Sequence, residues 1–177
     1  MKNEALLNAP CPIARSLGRM GDGWTLMILR DAFAGLTRFD EFQRSCNVAP
    51  NILSRRLKEM VKDGLLVRVS YSSAPPRHEY RLTDKSRELH PIMLMLTEWG
   101  NRHCVNGQPP MLPVDTASGR PITAVVVDKE TGQPLTIDRY EIVPGPGAGA
   151  RLRYRHDYIH QKRAGQMPAR FLPPEAD

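Results

Sequence analysis

The sequence predicts a mainly α fold with one small β-hairpin (α+β), followed by a smaller C-terminal β-hairpin extension. Three observations carry that expectation. Apolar residues recur at helical spacing three times between Asp22 and Lys62, and again over 84–104. Between those stretches, over 65–83, the period falls from about 3.6 to 2. Beyond residue 104 proline becomes dense, with most of the chain's 16 prolines lying there. The resulting division is an N-terminal arm at 1–8, a compact domain at 9–106, a linker at 107–119, a β-hairpin at 120–143, and a Gly/Pro tether with a basic, aromatic tail at 144–177.

Each element has its own signals. "GDGWTLMILRDAFAG" predicts a helix with Asp22 as N-cap, Trp24, Met27, Ile28 and Phe33 as its apolar stripe, and Gly35 at its end. "TRFDEFQRSC" predicts a short helix with Phe39 and Phe42 on one face, and Asn47 supplies a turn. Pro50 suits a first helical position, where its missing N–H would be unpaired anyway. The helix from Pro50 to about Lys62 turns Leu53, Leu57, Met60 and Val61 one way, with Asn51, Ser54, Arg55, Lys58 and Lys62 opposite. Gly64 stops it.

In the period-2 segment Val67 and Val69 alternate with Arg68 and Ser70, and Tyr80 and Leu82 with Glu79 and Arg81. "SSAPP" supplies the turn between them. Thr83 then caps one long helix with Pro91 as a kink. Its apolar stripe, Leu89, Ile92, Met93, Leu96 and Trp99, is wider than a thin domain needs and predicts a partner subunit. Helix, short helix, turn, helix, hairpin, long helix is the order of a winged helix-turn-helix.

Composition narrows the function classes. Lys+Arg exceed Asp+Glu by 25 to 19, for a net charge of +6, which favours an anionic partner such as nucleic acid. No apolar run is long enough for a membrane span, and the N-terminus lacks a signal peptide's apolar region, so a cytoplasmic protein is expected. Three cysteines far apart fit a reducing compartment better than a disulfide scaffold. Neither a Gly-rich phosphate loop nor a GxSxG elbow is present, and the five histidines lack metal-ligand spacing, so no enzyme, cofactor or metal is expected.

Several blocks in order, "CPIARSLGRMGDGWTLMILRDAF", "FDEFQRSCNVAPNILSRRLKEMVKDGLLVR", "PPRHEYRLTDKSREL" and "MLTEWG", resemble the HxlR-type bacterial transcriptional regulators. The resemblance spans about 9–105. It implies a homodimer, joined through the N-terminal segment (Ile13, Leu17) and the long helix, that binds double-stranded DNA at an imperfect palindrome in a promoter. A repressor of a neighbouring gene is the expected sense.

A major groove roughly 12 Å wide admits one helix by its N-terminal residues. On that geometry Pro50 opens the helix, and Asn51, Ser54 and Arg55 are expected to read bases. Arg56, Lys58 and Lys62 are expected to hold phosphates, with Arg77 and His78 of the wing tip on the flanking duplex. Relatives often carry a Ser or Thr cap where this chain has Ala49, a change worth about 1 kcal/mol.

Cys11 matches the position of a redox-sensing cysteine in several relatives. Its place before a short helix with Arg15 and Arg19 would favour a thiolate. Modulation by an oxidant or electrophile is one reading, and simple packing at the dimer seam is the other. A small-molecule effector would need a pocket that the sequence does not locate.

The extension predicts two strands around Thr131-Gly132, loosely similar to a zinc ribbon in some relatives but with Asp128 and Thr131 where cysteines would stand. The tail interleaves Arg151, Arg153, Arg155, Lys162 and Arg163 with Tyr154 and Tyr158. That composition suits either nucleic acid or packing against protein. The rival for the whole chain is a winged-helix protein-interaction module.

Overall fold

The structure, a computed structural model, describes residues 4–166 and 170–174; parts of the expected arm (1–3) and tail (167–169, 175–177) lie outside them. In chain order the elements are α1 (Glu4–Leu7), α2 (Pro12–Met20), α3 (Gly23–Phe33), α4 (Phe39–Cys46), α5 (Pro50–Lys62), β1 (Leu66–Ser73), β2 (Pro76–Leu82), α6 (Asp84–Arg87), α7 (His90–His103) and α8 (Ala150–Arg163). They form two units, Met20–Val126, and Met1–Arg19 with Val127–Asp177. The boundary falls later than the expected 106. Asn101 donates its side-chain amide to the Met111 carbonyl at 2.7 Å, tying the segment after α7 back to that helix.

In the larger unit, α3 begins where Asp22 Oδ1 accepts the amides of Trp24 and Thr25 at 3.0 and 3.3 Å. These are two of the donors a helix start leaves unpaired. Asn47 ends α4 in the left-handed region at φ 49°. At the end of α5, Gly64 has φ +69°, its amide reaches the Val61 carbonyl, and the Leu65 amide reaches Met60 at 2.9 Å. That pair of bonds is a Schellman motif, and it needs glycine's freedom at positive φ. Ile28, Leu29 and Ala32 of α3, Phe42 and Cys46 of α4, and Leu53, Leu57 and Met60 of α5 close one core with Val48, Leu65 and Leu66.

The hairpin pairs Leu66 with Leu82 and Arg68 with Tyr80, antiparallel. Leu66 is buried and Tyr80 and Leu82 pack on the core, so Val67 and Val69 share the outer face with Arg81 and Glu79. Val67 is 45% exposed, and the buried end of β1 is therefore Leu66 rather than the valines. A bulge interrupts the ladder between Ser70 and Ser72. Beyond the hairpin, the Tyr80 amide donates to the Thr37 carbonyl at 2.7 Å, and Arg38 bridges Glu79. The hairpin is thereby pinned to the start of α4.

The single kinked helix expected after Thr83 is two helices. Thr83 Oγ1 caps α6 by accepting the Ser86 amide, and also donates to the Gly64 carbonyl at 2.7 Å. Proline cannot donate, and its ring clashes with the carbonyl four residues back. Pro91 therefore sits in the first turn of a new helix, α7, instead of bending an old one.

In the smaller unit Gly18 is buried, and a Cβ there would stand 2.9 Å from Leu7 Cδ2 and 3.0 Å from the Leu7 nitrogen. Glycine is what lets α1 approach α2. No ladder forms over 120–143 among the described residues, correcting the expected hairpin: a single bridge, Val127 to Pro134, closes a tight turn. In that turn Asp128 Oδ1 accepts the amides of Glu130 and Thr131, and the Asp128 carbonyl accepts Gly132. The same pattern occurs at Asp115, whose Oδ1 accepts from Ala117 and Ser118 and whose carbonyl accepts Gly119. The sequence signal is a repeat, "VDTASGRP" at 114–121 and "VDKETGQP" at 127–134.

The tail contains a helix, α8, that its sequence does not announce, because cations surround it without an apolar stripe. Its tyrosines are not free: Tyr154 and Tyr158 lie 5.5 and 4.9 Å from the Phe171 ring, and Tyr154 Oη accepts the Leu172 amide. Of the expected tail cations, Arg163 pairs with Glu141 at 3.2 Å and Arg153 donates to the Ala148 carbonyl. No described helix is long and apolar enough to cross a membrane.

Candidate nucleic-acid interface

α5 has two unlike faces. Leu53, Leu57 and Met60 are fully buried in the core, while Pro50, Asn51, Arg55, Lys58 and Lys62 are exposed and Ser54 is half-buried. Ala49 makes no side-chain cap, and Pro50 occupies the first turn instead. Asn51 Oδ1 accepts the Ile52 amide at 2.9 Å, leaving its NH2 as the outward group. Arg55, Lys58 and Lys62 thus project three cations from a helix fixed by its other side.

Arg56 does not join them. It is only 7% exposed, with Nη2 on Asp22 Oδ2 and Nη1 on Glu59 Oε2, both at 2.8 Å. A guanidinium held by two carboxylates has no reach to a phosphate, so the expected phosphate contact is corrected to a structural one. Asp22 serves both ends: Oδ1 caps α3 and Oδ2 holds α5. Helical spacing placed Arg56 at the edge of the polar face, and the acid three residues on, Glu59, was the signal for an inward pair.

At the wing, Arg77 is exposed and His78 half-buried, with His78 Nδ1 3.0 Å from Arg68 Nη2. Sequence reasoning passed over Arg38 and Tyr71. Tyr71 is the bulge residue, and the Arg38 guanidinium carbon stands 4.9 Å above its ring. Arg38 precedes α4, and Glu41 Oε2 takes the amides of Thr37 and Arg38 at 2.9 and 2.8 Å. Those bonds hold the Glu41 carboxyl below its ordinary value. "TRFDE" therefore carried the signal, an exposed cation at a helix start next to an acid occupied with the backbone.

Cys11 is a half-buried free thiol immediately before α2. The Arg15 Nε beyond it donates to the Ala9 carbonyl at 2.6 Å, and Arg19 to the Arg15 carbonyl. Cys46 is buried and donates to Asp31 Oδ2 at 3.2 Å. Burial first, then that carboxylate, pushes its thiol up to about 11. Cys104 is exposed at the end of α7.

Among the expected interface residues, Ile13 and Leu17 of α2 are exposed, as are Ile92, Leu96 and Trp99 of α7. Met93 is half-buried. Leu89 is corrected: it precedes α7 and packs against its own core. Among the described residues no group of three or more His, Cys, Asp or Glu could hold a metal.

Known proteins are similar to this chain in sequence and fold. A family model described as HxlR-like helix-turn-helix matches residues 19–108. The uncharacterized HTH-type transcriptional regulator Rv3095 of Mycobacterium tuberculosis is 36% identical over 141 residues, 79% of this chain and 89% of that one. So long an alignment runs past the family region into the extension. The crystal structure of PA1607, described as a candidate transcription factor, is 38% identical over 80% of this chain and 99% of its own, with a TM-score of 0.73. The redox regulator HypR in its oxidized form is 35% identical over 52% of this chain and 97% of its own, at a TM-score of 0.50. These relatives are regulators rather than enzymes. With α5 and the wing inside the matched region, the chain belongs to the HxlR-like helix-turn-helix family of DNA-binding transcriptional regulators.

Proposed function

We propose that the protein is a cytoplasmic, homodimeric repressor that binds a palindromic promoter operator, with α5 in the major groove and the wing on the flanking duplex. The observation that carries this reading is the outer face of α5: Asn51, Arg55, Lys58 and Lys62 are exposed on a helix whose other side is locked in the core. Arg55 is the base reader, suited to a bidentate guanine contact, and Asn51 donates its NH2 to a neighbouring base. Ser54 lies half-buried between them. Lys58, Lys62 and Arg77 hold phosphates, which fix register. The exposed apolar residues of α2 and of α7 support a second copy as partner.

The test is binding of the full chain to its own upstream DNA with nonspecific competitor, at several salt concentrations. A protected palindrome of two half-sites supports the reading. Protection nowhere near a promoter sinks it and leaves a protein-interaction module.

A second reading concerns regulation, because the similar protein HypR is a redox regulator. The effector proposed here is an oxidant or electrophile acting on Cys11, half-buried but not enclosed at the start of α2. Cys11→Ser should abolish oxidant-induced loss of DNA binding. A variant that responds to peroxide or quinone as the parent does removes Cys11 from the mechanism.

A further inference from the structure

We propose that the cleft between the start of α4 and the wing seats one backbone phosphate of the operator duplex, with Arg38 as its principal donor. The proposal rests on the DNA-binding reading above and adds to it a contact outside α5.

The cleft, of about 370 Å³, is lined by Arg38, Phe39, Asp40, Tyr71, Arg77 and His78. Two guanidiniums and an imidazole face a single carboxylate, Asp40, which lies 4.0 Å from Arg44. The nearest other acids are occupied: Glu41 binds the backbone of Thr37 and Arg38, and Glu79 pairs with Arg81. Arg38 itself is exposed and forms no salt bridge among the described residues.

Its position is nonetheless fixed from two sides. The Tyr80 amide on Thr37 and the Arg38–Glu79 bridge bind its backbone to β2. Ser70 pairs with His78 and Ser72 with Arg77, which leaves Tyr71 over as the extra residue of the bulge. Bulges re-aim side chains, and this one brings the Tyr71 ring under the Arg38 guanidinium. A cation held over an aromatic face, in no salt bridge among the described residues and beside two more donors, is preorganised for a tetrahedral anion with several oxygens. The anion is assigned to the DNA backbone because the same cleft includes the wing residues. In a helix-turn-helix the first helix crosses the phosphate strand while the second enters the groove.

The test measures dissociation constants for the full-length protein by fluorescence anisotropy, on operator and on unrelated duplex, from 50 to 200 mM KCl. Arg38→Gln should flatten the log–log salt slope by about 0.9 per subunit. Its penalty should therefore shrink by roughly 3.5-fold per subunit across that range, and should be equal on both duplexes. Replacing single operator phosphates by neutral methylphosphonates should reveal one position per half-site that weakens the parent and leaves Arg38→Gln unaffected. An unchanged slope, a penalty confined to the operator, or a methylphosphonate profile identical in parent and variant overturns the proposal. A free phosphate-bearing effector in the cleft would also leave the slope unchanged.

Circular dichroism checks folding. Should the Gln variant not fold, Arg38→Lys, which keeps the charge but loses the planar fork, must be several-fold less sensitive at that one phosphate. Equal sensitivity counts against the seat. If the parent binds no DNA at any salt, the DNA-binding reading fails and this one with it; a parent that binds, with unaffected variants, sinks only the seat.

Discussion

Arg56→Met separates a structural arginine from a DNA-binding one. Methionine keeps an unbranched stem at this buried position and removes only the guanidinium. Two ion pairs at 2.8 Å disappear, one to Asp22 and one to Glu59, the latter also a charge-assisted hydrogen bond. The hydrogen bond to a charged group is worth about 1.5–3 kcal/mol, and breaking a buried ion pair from one side costs about 3–5 kcal/mol. Two features moderate the loss. The Asp22 and Glu59 side chains are 35% and 27% exposed, so water takes over part of their solvation. Arg56 Nε is buried without a hydrogen-bond partner, so losing it relieves a desolvated donor. A net cost of about 2–4 kcal/mol follows, since solvent recovers part of the pair energy.

For a helix-turn-helix unit of this size that loss lowers the melting temperature by roughly 10–20 °C. Asp22→Asn should reproduce much of it, because it breaks the pair and leaves an amide oxygen to cap α3. Asp22→Ala should add the cap's cost, about 1 kcal/mol. The assay is thermal and urea denaturation of Arg56→Met, Asp22→Asn and the double variant, followed by salt-dependent DNA binding well below the melting point. A coupling energy near zero in the cycle would refute the reasoning, as would a stable Arg56→Met protein whose salt slope is flatter by about 0.9. Either result would return Arg56 to the phosphates.

Other outcomes follow from the same geometry. Arg55→Gln should cost about 1–3 kcal/mol on the operator and relax preference at one base pair, whereas Lys58→Gln should weaken all duplexes alike; competition against single-base operator variants reads the difference. Cys46 has a raised thiol, so its contribution to stability is complete below about pH 9 and is lost as pH rises towards about 11. Cys46→Ala should flatten that alkaline decline in melting temperature, and a thiol reagent should modify Cys104 well before Cys46 in the native protein. Asp128 and Asp115 are held below the usual carboxylate range chiefly by bonds from Thr131 and Ser118. Both turns should therefore hold at neutral pH and loosen as pH falls through those lowered values, with smaller protection factors against amide exchange, relative to the intrinsic rate at each pH, at Thr131 and Ser118.

Legibility in the sequence followed the range of the interaction that decides each feature. As caps and breakers, Asp22, Asn47, Pro50, Gly64 and Thr83 act within a few residues of themselves, and each starts or ends a helix. Features set by partners far along the chain were less readable. The Arg56 pair needs Asp22, at the start of another helix, and within α5 only Glu59, three residues on, points to it. The face of β1 was ambiguous because both alternations contain apolar residues, and the register Leu66 to Leu82 chooses between them. Arg38 owes its place to backbone bonds with a strand some forty positions later. The duplicated turn at Asp115 and Asp128 is a different case: its signal is local and plain, but spans two segments that composition had divided between a linker and a hairpin.

The fixed attachments within residues 20–126 constrain how any signal could alter operator binding. α5 is held by its buried leucines and by Arg56 on Asp22, and the wing by Leu66, Leu82 and the Tyr80 bond to Thr37. Moving either reading element relative to the other means breaking bonds that also terminate or cap helices of the core. Such a change costs several kcal/mol, comparable to the stability of a small domain, and is a poor switch. In the proposed homodimer, a change in the separation of two copies leaves all of those bonds intact. Even small misplacement of two half-site helices forfeits contacts that one protein makes twice. A regulator built this way is expected to lose operator affinity while its unrelated-duplex affinity, carried by each copy's contacts to DNA phosphates, stays nearly constant. Measuring both affinities before and after peroxide treatment decides it: a parallel fall in both would place the switch inside the reading unit.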